Sequence, residues 1–279
     1  MFSDTGHEAP EVSTYIDMLE REHGLVIERV QPLIEDMRGE LVRAKIADRL
    51  GLPDDDDVWS HPLTMETLSV LKRRFPSAMV RFCTTYLKLR PQARVMGDWD
   101  MSGVVRVAGV RAQESAARAM RPDWVDHDDV FGCPLWLPIH SWTHDEVFQK
   151  HAEHGIPPNP LYLQGMARVG CWPCIMARKS ELRSMAENRP DAFVSLAEME
   201  DRVAASVGVP AISFFSNYTT PRRYHSQVCG NTGESFPVAE DIRLWALGSE
   251  PADSGQSLLF EDDWTEDNDT CSSQYGLCE

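Results

Sequence analysis

Gly103-Val104-Val105-Arg106-Val107-Ala108-Gly109-Val110-Arg111 sets the fold class of this chain. Val104 to Val110 is a short run rich in β-branched residues between glycines, the pattern of a strand covered on both faces in a parallel sheet. Arg111 follows at once. Ligands of open α/β sheets bind beyond the carboxyl ends of the strands, so a guanidinium at this point is placed for an anionic substrate. Outward from here, Trp136 to Ile139 reads as a second strand. Thr143 and Glu146 then form a capping box that opens a helix to His154, stopped by Gly155, Pro157 and Pro158.

Toward the N-terminus, Met1 to Gly6 reads as a strand end, Glu11 to Gly24 as a helix bearing Tyr15, Ile16 and Leu19, and Leu25 to Val30 as a strand. Periodicity predicts helices over Leu33 to Leu50 and Thr64 to Phe75, separated by Pro53 and the acidic loop Asp54 to Asp57. Beyond the centre, helices are expected at Ser180 to Asn188 and Asp191 to Val207, the second closed by Gly208 and Pro210. This alternation predicts an α/β fold, a parallel twisted sheet flanked by helices. The expected organisation is an α/β domain over 1–210, an extension over 211–249, and an acidic linker with a cysteine-containing tail over 250–279.

The 279 residues carry 27 lysines and arginines against 44 acids, a formal net charge of −17, which disfavours non-specific binding to nucleic acid. No apolar run approaches the ~20 residues that span a bilayer, and no signal pattern opens the chain, so a cytoplasmic protein without a membrane partner is expected. Seven cysteines in a reducing compartment point to chemistry rather than a disulfide framework. Gly170-Cys171-Trp172-Pro173-Cys174 can hold a metal ion or cluster iron on two thiolates; a redox dithiol and a zinc knuckle are the alternatives. Arg81-Phe82-Cys83-Thr84, with Lys88 beyond, sets a thiol and a cation about one and a half helical turns apart. A lone cysteine is also commonly a small buried hydrophobe.

Taken together these segments resemble the phosphoadenosine phosphosulfate (PAPS) reductase family. Phe2-Ser3-Asp4-Thr5-Gly6-His7-Glu8 resembles its "DTG" strand end, and Arg81 to Thr84 with Lys88 resembles its cysteine and lysine element. Gly109-Val110-Arg111 with Glu114, Ser115 and Arg118 is similar to its G-x-R-x-x-E-S-x-x-R motif. Asn159-Pro160-Leu161-Tyr162 through Arg168 to Cys174 is similar to its N-P-L-Y to G-C-x-x-C segment. The resemblance implies an adenine nucleotide alpha hydrolase-like fold with nucleotide at the carboxyl edge of the sheet. It nominates Asp4, Thr5, Gly6, Arg111, Glu114, Ser115, Arg118 and Arg168 for the nucleotide, and Lys88 and Arg111 for neutralising sulfate and phosphate.

Two departures from the family pattern stand out. A serine–glycine phosphate loop of the S-G-G-K-D-S kind precedes the "DTG" strand in the family, and this chain begins after that point. The expectations are an upstream start, a partner chain supplying the loop, or lost nucleotide chemistry. At the other end, the E-C-G-L-H motif of the reductases is replaced by Cys271-Ser272-Ser273-Gln274-Tyr275-Gly276-Leu277-Cys278-Glu279, which makes Cys278 the candidate tail nucleophile.

Cluster-bearing relatives use a cysteine pair where this chain has Cys83 and Thr84. The implied ligands of a 4Fe-4S cluster are therefore Cys83, Cys171 and Cys174 with Cys271 or Cys278 as the fourth, zinc being the alternative metal. The leading function is reduction of an adenylyl sulfate to sulfite with a thiol electron donor. The alternatives are a sulfurtransferase or ATP pyrophosphatase, using ATP and a sulfur donor on a nucleic acid, and a non-catalytic iron–sulfur subunit.

Overall fold

The computed structural model describes residues 1–216 and 219–249. It opens with β1 (Phe2–Ser3), α1 (Pro10–His23) and β2 (Arg29–Val30). The two strands pair in parallel, so α1 is the crossover that a parallel pair requires. Val12 and Ile16 of α1 are buried one turn apart against Leu161 and Met166. Gly24, at φ 65°, ends the helix in a left-handed cap.

The expected helix over Leu33 to Leu50 is broken. A 3₁₀ turn at Ile34–Met37 and α2 (Arg43–Leu50) are separated by Gly39 at φ 91°, a backbone value no helix accommodates. A second 3₁₀ turn, Asp56–Ser60, leads to α3 (Met65–Lys72), capped by the Thr64 hydroxyl, which accepts from the Thr67 N–H.

A single helical run follows: α4 (Phe82–Thr84), a π-helical turn (Thr85–Leu89) and α5 (Arg90–Met96). Pro91 has no N–H to offer the Leu87 carbonyl, and the hydrogen-bond ladder loosens just ahead of it.

Next come β3 (Arg106–Val107), a 3₁₀ turn at Ala112–Glu114, the short α6 (Ala116–Ala119), β4 (Trp124–Asp128) and β5 (Cys133–Trp136). β3 pairs in parallel with β5, and β4 runs antiparallel on the other side of β5. The strand expected at Trp136 to Ile139 thus lies earlier in the chain, at Cys133–Trp136, where β3 and β4 supply its partners. β4 was not anticipated. Its sequence, Trp-Val-Asp-His-Asp, carries too many acids to read as a strand.

The remainder is α7 (His144–Glu153), α8 (Pro160–Leu163), α9 (Lys179–Asn188), α10 (Pro190–Val207), the hairpin β6 (Gln227–Val228) and β7 (Ser235–Phe236), and α11 (Ala239–Leu247). The Thr143–Glu146 capping box forms as expected, and Gly208 closes α10 at φ 74°.

The protein is a mixed α/β structure with small sheets, two of which contain parallel pairs. Among the described residues β1–β2 and β3–β5–β4 are separate sheets, in place of the one continuous sheet expected. The main core is helical: Leu68 and Leu71 of α3, Leu182 of α9, Phe193 and Val203 of α10, and Ile242 of α11 are buried in one cluster. Phe214 and Phe215 join it, so the segment 211–249 shares the core of the preceding domain. No helix of the described residues is long and apolar enough to cross a membrane.

Candidate functional site

The chain end of β1 builds the first wall. Glu8 turns its carboxylate back on the loop, accepting from the Thr5 N–H at 3.1 Å, the Thr5 hydroxyl at 2.6 Å and the His7 N–H at 3.2 Å. Burial raises the Glu8 pKa, and the Thr5 and His7 hydrogen bonds pull the other way. Gly6 stands at φ 66° with a hydrogen at the position where a Cβ would lie 2.8 Å from Thr64 Cγ2, so both backbone and space demand glycine. The Thr5 carbonyl accepts from the Met65 N–H at 3.2 Å, tying the loop to the start of α3.

This loop also holds the C-x-x-C turn. Glu8 and Cys171 form an antiparallel bridge, and the Trp172 N–H donates to the His7 carbonyl at 2.7 Å. The His7 ring nitrogen Nε2 lies 3.1 Å from the Pro173 carbonyl, and the ring packs 5.2 Å from Phe214. Burial lowers the His7 pKa to about 4, so the imidazole is neutral and Nε2 carries the proton that the carbonyl accepts. His7 is a positioning residue that sequence reading passed over, although it lies inside the quoted Asp4-Thr5-Gly6-His7-Glu8 motif.

The helical run from Phe82 supplies the facing wall. Cys83, Lys88, Cys171 and Cys174 line one pocket with Arg81, Thr84 and the apolar Met65, Ile175 and Met176. Burial by itself lowers the Lys88 ammonium, but Cys171, Cys174, Cys83 and Glu8 outweigh it, and the pKa stands above that of an ordinary lysine. The π turn carries Lys88, so the local irregularity and the cation coincide. Burial, with Cys171 beside it, pushes the Cys174 thiol up to about 11. Arg168, the Met176 N–H at 3.4 Å and Lys88 oppose the rise. All five described cysteines are free thiols; Cys133 is buried in the apolar packing behind β5, and Cys229 lies in the β6–β7 hairpin.

The nominated arginines form a second neighbourhood. Arg111 Nε donates to Glu114 at 3.2 Å, and Arg118, only 1% exposed, donates to the other oxygen of the same carboxylate. The Ser115 hydroxyl caps α6 by accepting from the Arg118 N–H at 3.2 Å. Arg168 pairs with the buried Glu181 at 3.1 Å and donates to the Met176 carbonyl at 2.7 Å. Burial raises the Tyr162 pKa, Arg111 opposes the rise, and Glu114 and Glu181 add to it. Met176, whose carbonyl Arg168 holds, also lines the thiol pocket.

Asp4 is exposed beside the loop, its carboxylate accepting from the Gly6 N–H at 3.1 Å. Cys271 and Cys278 lie outside the described residues. Among the described residues no group of three or more His, Cys, Asp or Glu closes around a single metal ion.

Residues 57–177 match the model of the phosphoadenosine phosphosulfate reductase domain. This chain belongs to the PAPS reductase family. It is 35% identical over 300 residues to an uncharacterized 37.8 kDa protein of Escherichia phage 186, covering 100% of this chain and 88% of that protein. It is also 30% identical over 176 residues to the adenosine 5'-phosphosulfate reductase of Allochromatium vinosum, covering 62% of this chain and 57% of that one. The reductase of the same name from Rhizobium tropici is 32% identical over 97 residues, covering 35% and 51%. The chain thus spans about half the length of these two named reductases. The family match contains all three converging thiols, Lys88 and the arginine motif; the 4–8 loop that braces them precedes it.

Proposed function

We propose that this member of the family is a sulfonucleotide reductase, which accepts an adenylyl sulfate and reduces its sulfate group to sulfite. The observation that carries this reading is the convergence of Cys83, Cys171 and Cys174 with Lys88 in one pocket. Packing needs no such convergence, since a buried cysteine serves as a small hydrophobe wherever it falls.

The donor set suits a 4Fe-4S cluster at three of its corners, because Cys83, Cys171 and Cys174 are soft sulfur ligands that line one pocket with the apolar Met65, Ile175 and Met176. Cys83, Cys171 and Cys174 would hold the cluster, with Cys271 as the fourth ligand, and when bound it supplies a sulfur-rich, redox-capable centre.

In this reading Lys88 and Arg81 draw the sulfate to the pocket and offset charge on its oxygens. The Cys278 thiolate attacks the sulfate sulfur, the sulfur–oxygen bond to phosphate breaks, and the nucleotide leaves with that electron pair. An external dithiol then releases sulfite, is oxidised to its disulfide, and returns Cys278 as the thiol.

Anaerobically purified protein is expected to carry about four irons per chain with matching sulfide, to lose them on Cys171→Ser, and to release sulfite from an adenylyl sulfate when given a dithiol. Colourless, metal-free protein unaffected by Cys171→Ser would overturn the cluster. Pyrophosphate release from ATP with no sulfite would replace reduction by sulfur transfer.

A further inference from the structure

The pocket that holds the three thiols is tight. About 20 Å³ of it is open to water, room for little more than one water molecule. Arg81 is common to this pocket and to a wider groove that Lys72 and Arg74 also line. With so little space, a small displacement of the C-x-x-C turn changes how Cys171 and Cys174 stand in the pocket. His7 grips that turn between its two cysteines. Its carbonyl accepts from the Trp172 N–H at 2.7 Å, and its Nε2 donates to the Pro173 carbonyl at 3.1 Å. The first is a backbone contact that any residue makes. The second needs an imidazole, turned so that its N–H points at the carbonyl.

That orientation is set by a residue far along the chain. The buried Phe214 packs its ring 5.2 Å from the imidazole at a tilt of 45°. Phe75 at 5.3 Å and Phe215 at 5.1 Å meet the Phe214 ring edge to face, the geometry that aromatic quadrupoles favour, so the ring is wedged where it stands. Its backbone is fixed as well. The Phe214 N–H donates to Glu200 of α10 at 2.7 Å, and the other oxygen of that buried carboxyl group accepts from the Ala239 N–H, at the start of α11, at 2.9 Å. A continuous line of contacts therefore runs from α10 through Phe214 and His7 to Pro173. His7, Glu200 and Phe214 all lie outside residues 57–177, the stretch that matches the family model.

We infer that Phe214 is a positioning residue for the C-x-x-C turn, acting through the His7 ring, and that the segment after α10 thereby controls how Cys171 and Cys174 are presented. The inference concerns the turn itself and is independent of the chemistry its thiols perform. A phenyl ring that only filled the core would leave the thiols indifferent to its loss, apart from a general loss of stability.

Phe193 of α10, buried in the same core, supplies the comparison, because Phe193→Leu removes the same atoms from a ring that makes no contact with His7 among the described residues. The full chain is alkylated with iodoacetamide under native conditions, with an iron chelator present, and each cysteine is followed by mass spectrometry. In Phe214→Leu, Cys171 and Cys174 are expected to react about five- to tenfold faster than in Phe193→Leu, the factor that one lost aromatic contact allows. The buried Cys133 is expected to react equally in the two variants. His7→Ala should reproduce the rise, and the double variant should add nothing to it, since both changes act on one contact. Phe214→Met, read against Phe193→Met, repeats the comparison with a side chain that adapts to core gaps, should the leucine variant not fold. Equal rates in the paired variants, a rise shared by Cys133, or additive effects of His7→Ala and Phe214→Leu would reduce Phe214 to core filling and overturn the inference. A protein without iron leaves each of these rates readable, so failure of the cluster reading is distinct from failure here.

Discussion

At the scale of single residues, the N-terminal loop shows how one position can be constrained twice. Gly6 needs a positive φ and also has no room for a methyl group, whereas Gly24 needs the positive φ alone. Gly24→Ala is expected to cost about 1 kcal/mol. Gly6→Ala should cost about 2–3 kcal/mol, because the clash with Thr64 adds to the backbone strain. Urea unfolding of the two variants checks the difference, and equal costs would show that Thr64 moves aside freely. The same loop explains why His7 is neutral. Its ring is enclosed, and among the described residues its polar contact is the Pro173 carbonyl, which accepts a hydrogen bond from a neutral imidazole.

At the scale of elements, the C-x-x-C turn is braced from a distant part of the chain, and the helix junctions are held by buried acids. Glu200, in the middle of α10, accepts from the Phe214 N–H at 2.7 Å and the Ala239 N–H at 2.9 Å, joining three segments through one carboxyl group. Burial raises its pKa to about 7 against the pull of those two N–H bonds. The native state therefore keeps a proton that the unfolded chain has lost, and the contribution of Glu200 to stability falls as pH rises from the ordinary carboxyl range through about 7. Glu200→Gln loses one N–H bond but does not titrate. The stability gap between wild type and variant, read from urea midpoints, is expected to narrow from about pH 5 to about pH 7.5. A gap that widens over that interval would show that Glu200 is ionised in the native protein.

At the scale of the molecule, residues 211–249 complete the domain. Phe214, Ile242 and Trp245 are buried against Leu182, Phe193 and Val203, and each such side chain contributes about 1.5–3 kcal/mol by leaving water. A chain ending at Pro210 exposes the facing sides of α9 and α10. It is expected to lose cooperative unfolding and to aggregate, as circular dichroism melting and size-exclusion chromatography would record. A sharp transition in the shortened chain would instead make 211–249 a true appendage.

Local signals in the sequence determined the helices with capping and stop residues, such as the Thr143–Glu146 box and Gly208, because those signals act within a few residues of chain. They also determined the family, since its motifs are contiguous strings of side chains. The break at Gly39, the early β5 and the acidic β4 were decided by tertiary structure, where pairing partners outweigh periodicity. The same holds for the site. Spacing marked Cys171 and Cys174 as a pair and the family resemblance joined Cys83 to them, but only folding set Lys88 among the three thiols and put Arg111 and Arg118 on one glutamate. The groove at Lys72, Arg74 and Arg81 has no signature in the sequence. Its cations come from the end of α3 and the loop that leads to α4, and their shared face exists only once the flanking helices pack.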